Sequence, residues 1–369
     1  MKTIYLYVIA GILLFGFGLS SGSSKAHADV RPGVEVVFCL DTTGSMGGLI
    51  EGAKQKIWSI ANQIIQGEPS PLLRVGLVGF RDNGDDYVTR VFPLDDDLDA
   101  VFENLMSFQA EGGGDTPEHV NRALHDSVRE IDWSTERSTL KLIFLVGDSP
   151  PHMDYNDGYD YKETCREAVL MDIIINTVQC GDHPGTMKYW RRIAKLSEGS
   201  YTAIAQTGGM EIIETPMDAE LSRLNLMLEE TVVAYGSEET RSKSSARKEK
   251  VAGMSAPAAA ERAVYKSADD EISAFDLIDS LKHGKIKLKN IRDKELPEEM
   301  RELTLDEKRE YLAQKEKDRE ELKDRIMDLS KERSAYISKK LKEMPREDSF
   351  DEVVLEFIKE QASEKGITY

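Results

Sequence analysis

The stretch Asp41-Thr42-Thr43-Gly44-Ser45-Met46-Gly47-Gly48 carries the residues best suited to chemistry in this sequence. Asp41, Thr43 and Ser45 alternate, so one carboxylate and two hydroxyls can point into a single crevice, and the glycines let the backbone fold tightly around it. Hard oxygen donors of this kind suit a cation such as Mg2+, which prefers six oxygens in octahedral geometry and keeps water where protein ligands are lacking. The competing explanation is local, because Asp and Thr in such positions also cap the helix that follows.

Other polar clusters carry less. His119, His125, His152 and His183 invite a zinc or acid–base reading, but His119 and His125 are six apart and do not share a helical face as an i, i+4 metal pair must. Asp95-Asp96-Asp97 precedes a helical segment and complements its positive N-terminal end. Arg81, Asp82, Asp85 and Asp86 form a charged turn whose simplest placement is a solvated hairpin tip, and Met46 and Trp58 fit helix packing. No P-loop, dinucleotide fingerprint or kinase signature occurs.

The elements that must position the Asp41 loop are legible as alternation. From Val34 to about Ala205, β-branched apolar runs alternate with amphipathic segments, the pattern of a mostly parallel sheet covered by helices. Strands are expected at Val34 to Leu40, Leu73 to Phe80, Tyr87 to Phe92, Leu140 to Val146, Ile173 to Gln179 and Tyr201 to Ala205. Helices are expected at Leu49 to Ile65, Leu98 to Phe108, Pro117 to Ile131, Tyr161 to Met171 and Lys188 to Leu196. The Asp82-Asn83-Gly84 turn makes the third strand an antiparallel edge. The fold class is therefore α/β: a doubly wound, mostly parallel six-stranded sheet with helices on both faces, followed by a C-terminal all-α region. Ligands of such sheets bind at the carboxyl ends of the strands, which is where the Asp41 loop falls.

At these residues the sequence resembles the von Willebrand factor type A family, whose metal-ion-dependent adhesion site joins a D-x-S/T-x-S loop to a distant threonine and a distant aspartate. Gly114-Asp115-Thr116-Pro117-Glu118 supplies Thr116, and Leu145-Val146-Gly147-Asp148-Ser149, ending the fourth strand, supplies Asp148. The resemblance covers about Val34 to Ala205, and the runs Pro150 to Tyr155 and Ile173 to Gly181 look like a bacterial, exported branch of the family. Thr43 stands where serine is commoner and keeps the hydroxyl, while Gly147 stands where a threonine often precedes the aspartate.

The resemblance implies a metal site at Asp41, Thr43, Ser45, Thr116 and Asp148. The three hydroxyls would bind directly and the two carboxylates partly through water, with Mg2+ the expected ion and Mn2+ or Ca2+ the alternatives. A cation with few directly bound carboxylates stays electrophilic, so an acidic side chain from another protein completes its shell. Metal-dependent protein binding rather than catalysis is the expectation. Two alternatives stand beside it: a metal-dependent hydrolase in which His152 or Glu118 acts as base, and an envelope scaffold that oligomerises through the C-terminal helices.

The formal net charge of -19 argues against nucleic acid as a partner, since phosphate backbones would be repelled at long range. Lys2, the apolar run Ile4 to Leu19 and Ala26-His27-Ala28 read as a signal peptide over 1–28, leaving Asp29 first in an exported chain, periplasmic or secreted. Membrane attachment is expected only if that segment stays uncleaved. The remaining parts are the A-type domain over 29–236, closed by a helix from Gly209 to about Ala234, a flexible linker over 237–268, and a charged helical region over 269–369. In that region Thr304 and Glu307 form a capping box opening a long helix to about Met344. Its partial a/d seam carries Lys308, Lys315, Arg319 and Arg333 where apolar residues belong. A second, shorter helix opens at Ser349 and Glu352, and docking of both on the first domain is favoured over a coiled coil. Cys39 lies within the first strand; Cys165, near a helix start, and Cys180, at a strand end, are expected to form a disulfide, the alternative being two free thiols.

Overall fold

In the computed structural model, which describes residues 31–114, 116–269, 271–343 and 348–369, the apolar runs join into one six-stranded sheet. Its strands are β1 (Gly33–Asp41), β2 (Leu72–Phe80), β3 (Thr89–Asp95), β4 (Leu140–Gly147), β5 (Ile173–Cys180) and β6 (Tyr201–Ile204), in the spatial order β3-β2-β1-β4-β5-β6. All neighbours are parallel except β2 and β3, which pair antiparallel at the edge as the Asp82-Asn83-Gly84 turn requires. Central β1 and β4 are buried on both sides because helices cover both faces.

The helices between strands are α1 (Gly47–Ile65), α2 (Leu98–Met106), α3 (Val120–Arg129), α4 (Tyr161–Leu170) and α5 (Pro184–Leu196). After the sheet come α6 (Asp218–Glu230), α7 (Glu238–Ala252), α8 (Ala256–Ala268), α9 (Leu277–Lys282), the single turn α10 (Glu298–Arg301), α11 (Leu305–Glu343) and α12 (Phe350–Ala362). Alternation along β1 sends Val34, Val36, Phe38 and Leu40 to one core and Val37 and Cys39 to the other. The first core is closed by α1, α2 and α12, with Phe350 6.0 Å from Phe38. The second is closed by α3, α4 and α5 around the fully buried Trp190.

Four expectations need correction. The segment 237–268 is not a linker: it forms α7 and α8, and α8 is held by the buried Arg262 rather than by a long apolar stripe. The helix expected from Gly209 begins only at Asp218, because Gly208 and Gly209 take positive φ and Pro216 interrupts the approach. The Cys165–Cys180 disulfide is not formed, and all three cysteines are free and buried. Strand parity explains this: Cys180 follows Val178 into the first core, while Cys165 on α4 belongs to the second, with the sheet between them.

The fourth correction concerns the seam on α11. Three of its four misplaced cations are buried and paired within the chain: Arg319 with Asp276 (2.6 Å) and Asp279 (2.8 Å), Arg333 with Asp218 (2.6 Å) and Glu261 (2.5 Å), Lys308 with Asp293 (2.6 Å); the fourth, Lys315, is half-buried and donates Nζ to Glu230 O at 3.3 Å. This face packs on α6 and α8 through Ile326 and Leu329 rather than forming a coiled-coil stripe. The capping box is present as expected, with Thr304 N donating to Glu307 Oε2 and Glu307 N to Thr304 Oγ1. The predicted signal peptide over 1–28 lies outside the described residues. Among the described residues no helix is long and apolar enough to cross a membrane.

Candidate metal centre

β1 ends at Asp41, flanked by β2 and β4, so the loop that follows opens at the carboxyl edge of the sheet. Thr42 anchors it, donating from both N and Oγ1 to Phe80 O at 2.9 and 3.0 Å. Arg81 braces it from below, with Nε donating to Thr42 O (3.2 Å) and Nη2 to Gln109 O (2.8 Å). Arg81 and Asp82 are both buried, so they do not form the solvated tip that their charge suggested.

Asp41 is 1% exposed, and its Oδ1 accepts from Thr43 N (2.9 Å) and Thr43 Oγ1 (2.6 Å). Thr43 Oγ1 lies 3.4 Å from the exposed Ser45 Oγ. The second carboxylate oxygen, Asp41 Oδ2, is buried without a hydrogen-bond partner among the described residues. Asp148 follows β4 and is held on three sides: Ser149 Oγ and Gln206 Nε2 donate to its carboxylate at 3.0 and 2.7 Å, and Thr186 Oγ1 donates to its carbonyl at 2.7 Å. A Cβ at Gly147 would stand 2.9 Å from Asp41 Cβ and 3.1 Å from Asp41 Oδ2, which accounts for glycine where a threonine is common.

Thr116 is exposed and lies on the segment crossing between these loops. One end of that segment is tied to the Asp41 loop, by Glu111 N to Thr42 O (3.1 Å) and Gly44 N to Gly112 O (3.3 Å). The other is tied to the Asp148 loop, by Glu118 N to Pro150 O and His152 N to Glu118 O, both 3.0 Å. Gly113, at φ +75, crosses so close that a Cβ would stand 3.1 Å from Thr43 Cβ. Asp41, Thr43, Ser45 and Asp148 thus share one end of the sheet, with Thr116 on a strap fastened to both loops.

The electrostatics suit a cation at this site. Burial pushes the Asp41 carboxyl up to about 7, against the two hydrogen bonds from Thr43 and with the charge of Asp148 adding to the rise. Burial also pushes Glu118 up to about 9, reinforced by Asp41, Asp82, Asp85 and Asp148. An orphaned buried carboxylate oxygen beside two hydroxyls and a second carboxylate is a set of hard donors lacking positive charge, and an ion of the Mg2+ type matches it. Asp41, Thr43, Ser45, Thr116 and Asp148 would hold it.

Glu118 yields a pH test. Its raised pKa makes the fold lose stability as pH climbs from the ordinary glutamate range through about 9. In metal-free buffer the stability of Glu118→Gln should gain on wild type between pH 5 and 9, measured by urea unfolding; a gap that does not grow with pH would contradict the assignment.

In the sequence Glu118 is legible only as an alternative base, and Gln206 carries no signal of a role. Their positions follow from how the strap and the loop after β6 fold back, and neither has a local spacing signal. None of the four histidines joins a metal cluster among the described residues. His119 and His183 cap α3 and α5, His125 contacts Asp126 (3.0 Å), and His152 stacks on Tyr155 at 4.1 Å with Nδ1 2.8 Å from Asp154.

Residues 35–216 match the family model described as von Willebrand factor A domain. The von Willebrand factor A domain-containing protein 7 of Rattus norvegicus is 40% identical over 194 residues, covering 51% of this chain and 20% of that protein. Its Mus musculus namesake is 29% identical over 215 residues, covering 56% and 22%. The chain therefore spans about a fifth of the length of these relatives. Among solved structures, proximal thread matrix protein 1 from the mussel byssus, described with a zinc-occupied MIDAS motif, aligns with a TM-score of 0.36 at 14% identity, over 48% of this chain and 42% of that one.

Proposed function

Through residues 35–216 this chain belongs to the von Willebrand factor A domain family, and from that premise we propose that Asp41, Thr43, Ser45, Thr116 and Asp148 hold a divalent cation through which the protein binds an acidic side chain of another protein. The observation that carries this reading is Asp41 Oδ2, buried and unpartnered at the mouth of the β1–α1 loop. Asp41 takes both Thr43 donors on its other oxygen, which turns the lone pairs of Thr43 Oγ1 outward beside Ser45. Gln206 and Ser149 hold the Asp148 carboxylate at the opposite wall. Neutral hydroxyls on the open side leave most of the ion's charge uncompensated toward solvent. A bound cation of the Mg2+ class, or Mn2+ or Ca2+ in its place, supplies a hard centre whose outward position a carboxylate can fill.

We further propose that the protein acts outside the cytoplasm, in the periplasm or secreted, on the strength of the signal pattern over 1–28. A mature N-terminus at Asp29 is the check on that point. For the site itself, the full mature chain is titrated with Mg2+, Mn2+ and Ca2+ by calorimetry, then used for affinity capture from the envelope with and without a chelator. Uptake of one ion per chain is expected, with a partner that elutes on chelation and is captured about tenfold less by Thr116→Val. Capture that survives both the chelator and Thr116→Val overturns the reading. Ester or phosphoester turnover lost in Asp148→Ala would replace it with a hydrolytic one.

A further inference from the structure

A cavity of about 880 Å3 lies outside residues 35–216, between α7 and the segment that leads into α10. One wall is a stripe along α7: Arg241, Ser244, Ser245 and Lys248 recur at i, i+3, i+4 and i+7. Arg292, Lys294 and Arg301 face it from the second segment. Five basic and four acidic side chains line the space, a reversal of sign in a chain with 48 Lys and Arg against 67 Asp and Glu.

The acids are mostly committed. Glu295 pairs with Arg292, Glu298 lies 3.8 Å from Arg301, and Glu299 accepts from Tyr311 OH at 3.4 Å. Glu238 stands in the first turn of α7, where it complements the positive helix end. The cations are less so. Lys248 and Lys294 make no hydrogen bond or ion pair among the described residues, and Arg241 donates Nη1 to Gly236 O (2.5 Å) with no carboxylate partner. Ser244 is 1% exposed, and its Oγ has no hydrogen-bond partner among the described residues. A buried hydroxyl left unpaired is costly, and an acceptor oxygen entering the cavity would relieve it.

We propose that this cavity binds a small, multiply charged anion, a phosphate ester or polycarboxylate, whose oxygens accept from Arg241, Lys248, Lys294 and Ser244. Its size lies in the range of small-molecule sites. The test uses the full mature chain stripped of metal on a chelating resin and held in chelator-free, metal-free buffer, so that the metal centre is silent, with inorganic phosphate, glycerol phosphate and citrate as probes in calorimetry. Saturable binding at one site per chain is expected, weakened about tenfold in both Ser244→Ala and Lys248→Gln. Ser244→Ala should melt no lower than wild type, since it removes an unpaired hydroxyl, and Asp41→Asn should bind the probes as wild type does. Preference for the phosphates assigns the ester and preference for citrate the polycarboxylate. Absence of saturable binding by every probe, or binding unchanged in both variants, overturns the proposal.

Discussion

Asp41→Asn is expected to weaken divalent-cation uptake by about 100-fold or more while making the metal-free protein more stable at neutral pH. The two effects share one cause. Asp41 is buried with one oxygen unpartnered, and its carboxyl is pushed up to about 7. A group whose pKa is higher folded than unfolded stabilises the fold in acid and loses that contribution as pH rises through the folded value. Against an unfolded pKa near 3.9, the difference corresponds to something on the order of 4 kcal/mol. Asparagine keeps an acceptor for Thr43 N and Oγ1 but carries no charge to bury. In metal-free buffer the variant should therefore gain on wild type between about pH 4 and 8, whereas in excess Mg2+ that gain should shrink by about 3 kcal/mol, because wild type binds the ion about 100-fold more tightly. Melting curves with and without Mg2+ across that range measure both effects. Equal Mg2+ affinities in the two proteins would remove Asp41 from the site.

Arg262→Ala should cost about 3–5 kcal/mol in urea unfolding. Arg262 is fully buried on α8. It donates to both oxygens of Asp99 on α2 (2.6 and 2.9 Å), to Glu229 on α6 (2.7 Å) and to Asn225 Oδ1 (2.9 Å). Removing it leaves two buried carboxylates with only Arg247, 3.2 Å from Glu229, and Lys266, 3.3 Å from Asp99, as counter-charges. Against the cost of burial, Arg262, Lys266 and Arg247 hold Asp99 well below the ordinary carboxylate range. The stabilisation it reports is present at neutral pH and lost as pH falls through the folded value. The variant's deficit should accordingly shrink in acid, and amide exchange should show α8 opening first. A loss below about 1 kcal/mol would mean the ion network is structurally idle.

The same network explains why the segment 237–268 reads as a linker in sequence yet folds as two helices. Linker and helix are separated in sequence by apolar periodicity, and α7 has almost none. α8 is fastened through Arg262 and a seam of alanines against α6, with Ala260 and Ala263 fully buried. Charged residues normally signal solvent, and only the facing acids of α2 and α6 turn Arg262 into an anchor. Lys308, Arg319 and Arg333 on α11 misled for the same reason: they read as breaks in a coiled-coil seam and are ion-paired contacts with other parts of the chain.

The sequence by itself determined what depends on local pattern. Strand runs such as Val34 to Leu40 are specified by period and β-branching, the edge hairpin by Asp82-Asn83-Gly84, and the start of α11 by Thr304 and Glu307, because each interaction is closed within a few residues. Tertiary structure decided everything that depends on which face meets which. It put Cys180 and Cys165 on opposite sides of the sheet, laid α12 over Phe38, buried Glu118 beside Asp41, and set Gly147 where a side chain would strike Asp41. Burial and the field of neighbouring charges are properties of the assembled chain, and they settle whether a given carboxylate stands in water, in an ion pair, or buried without one.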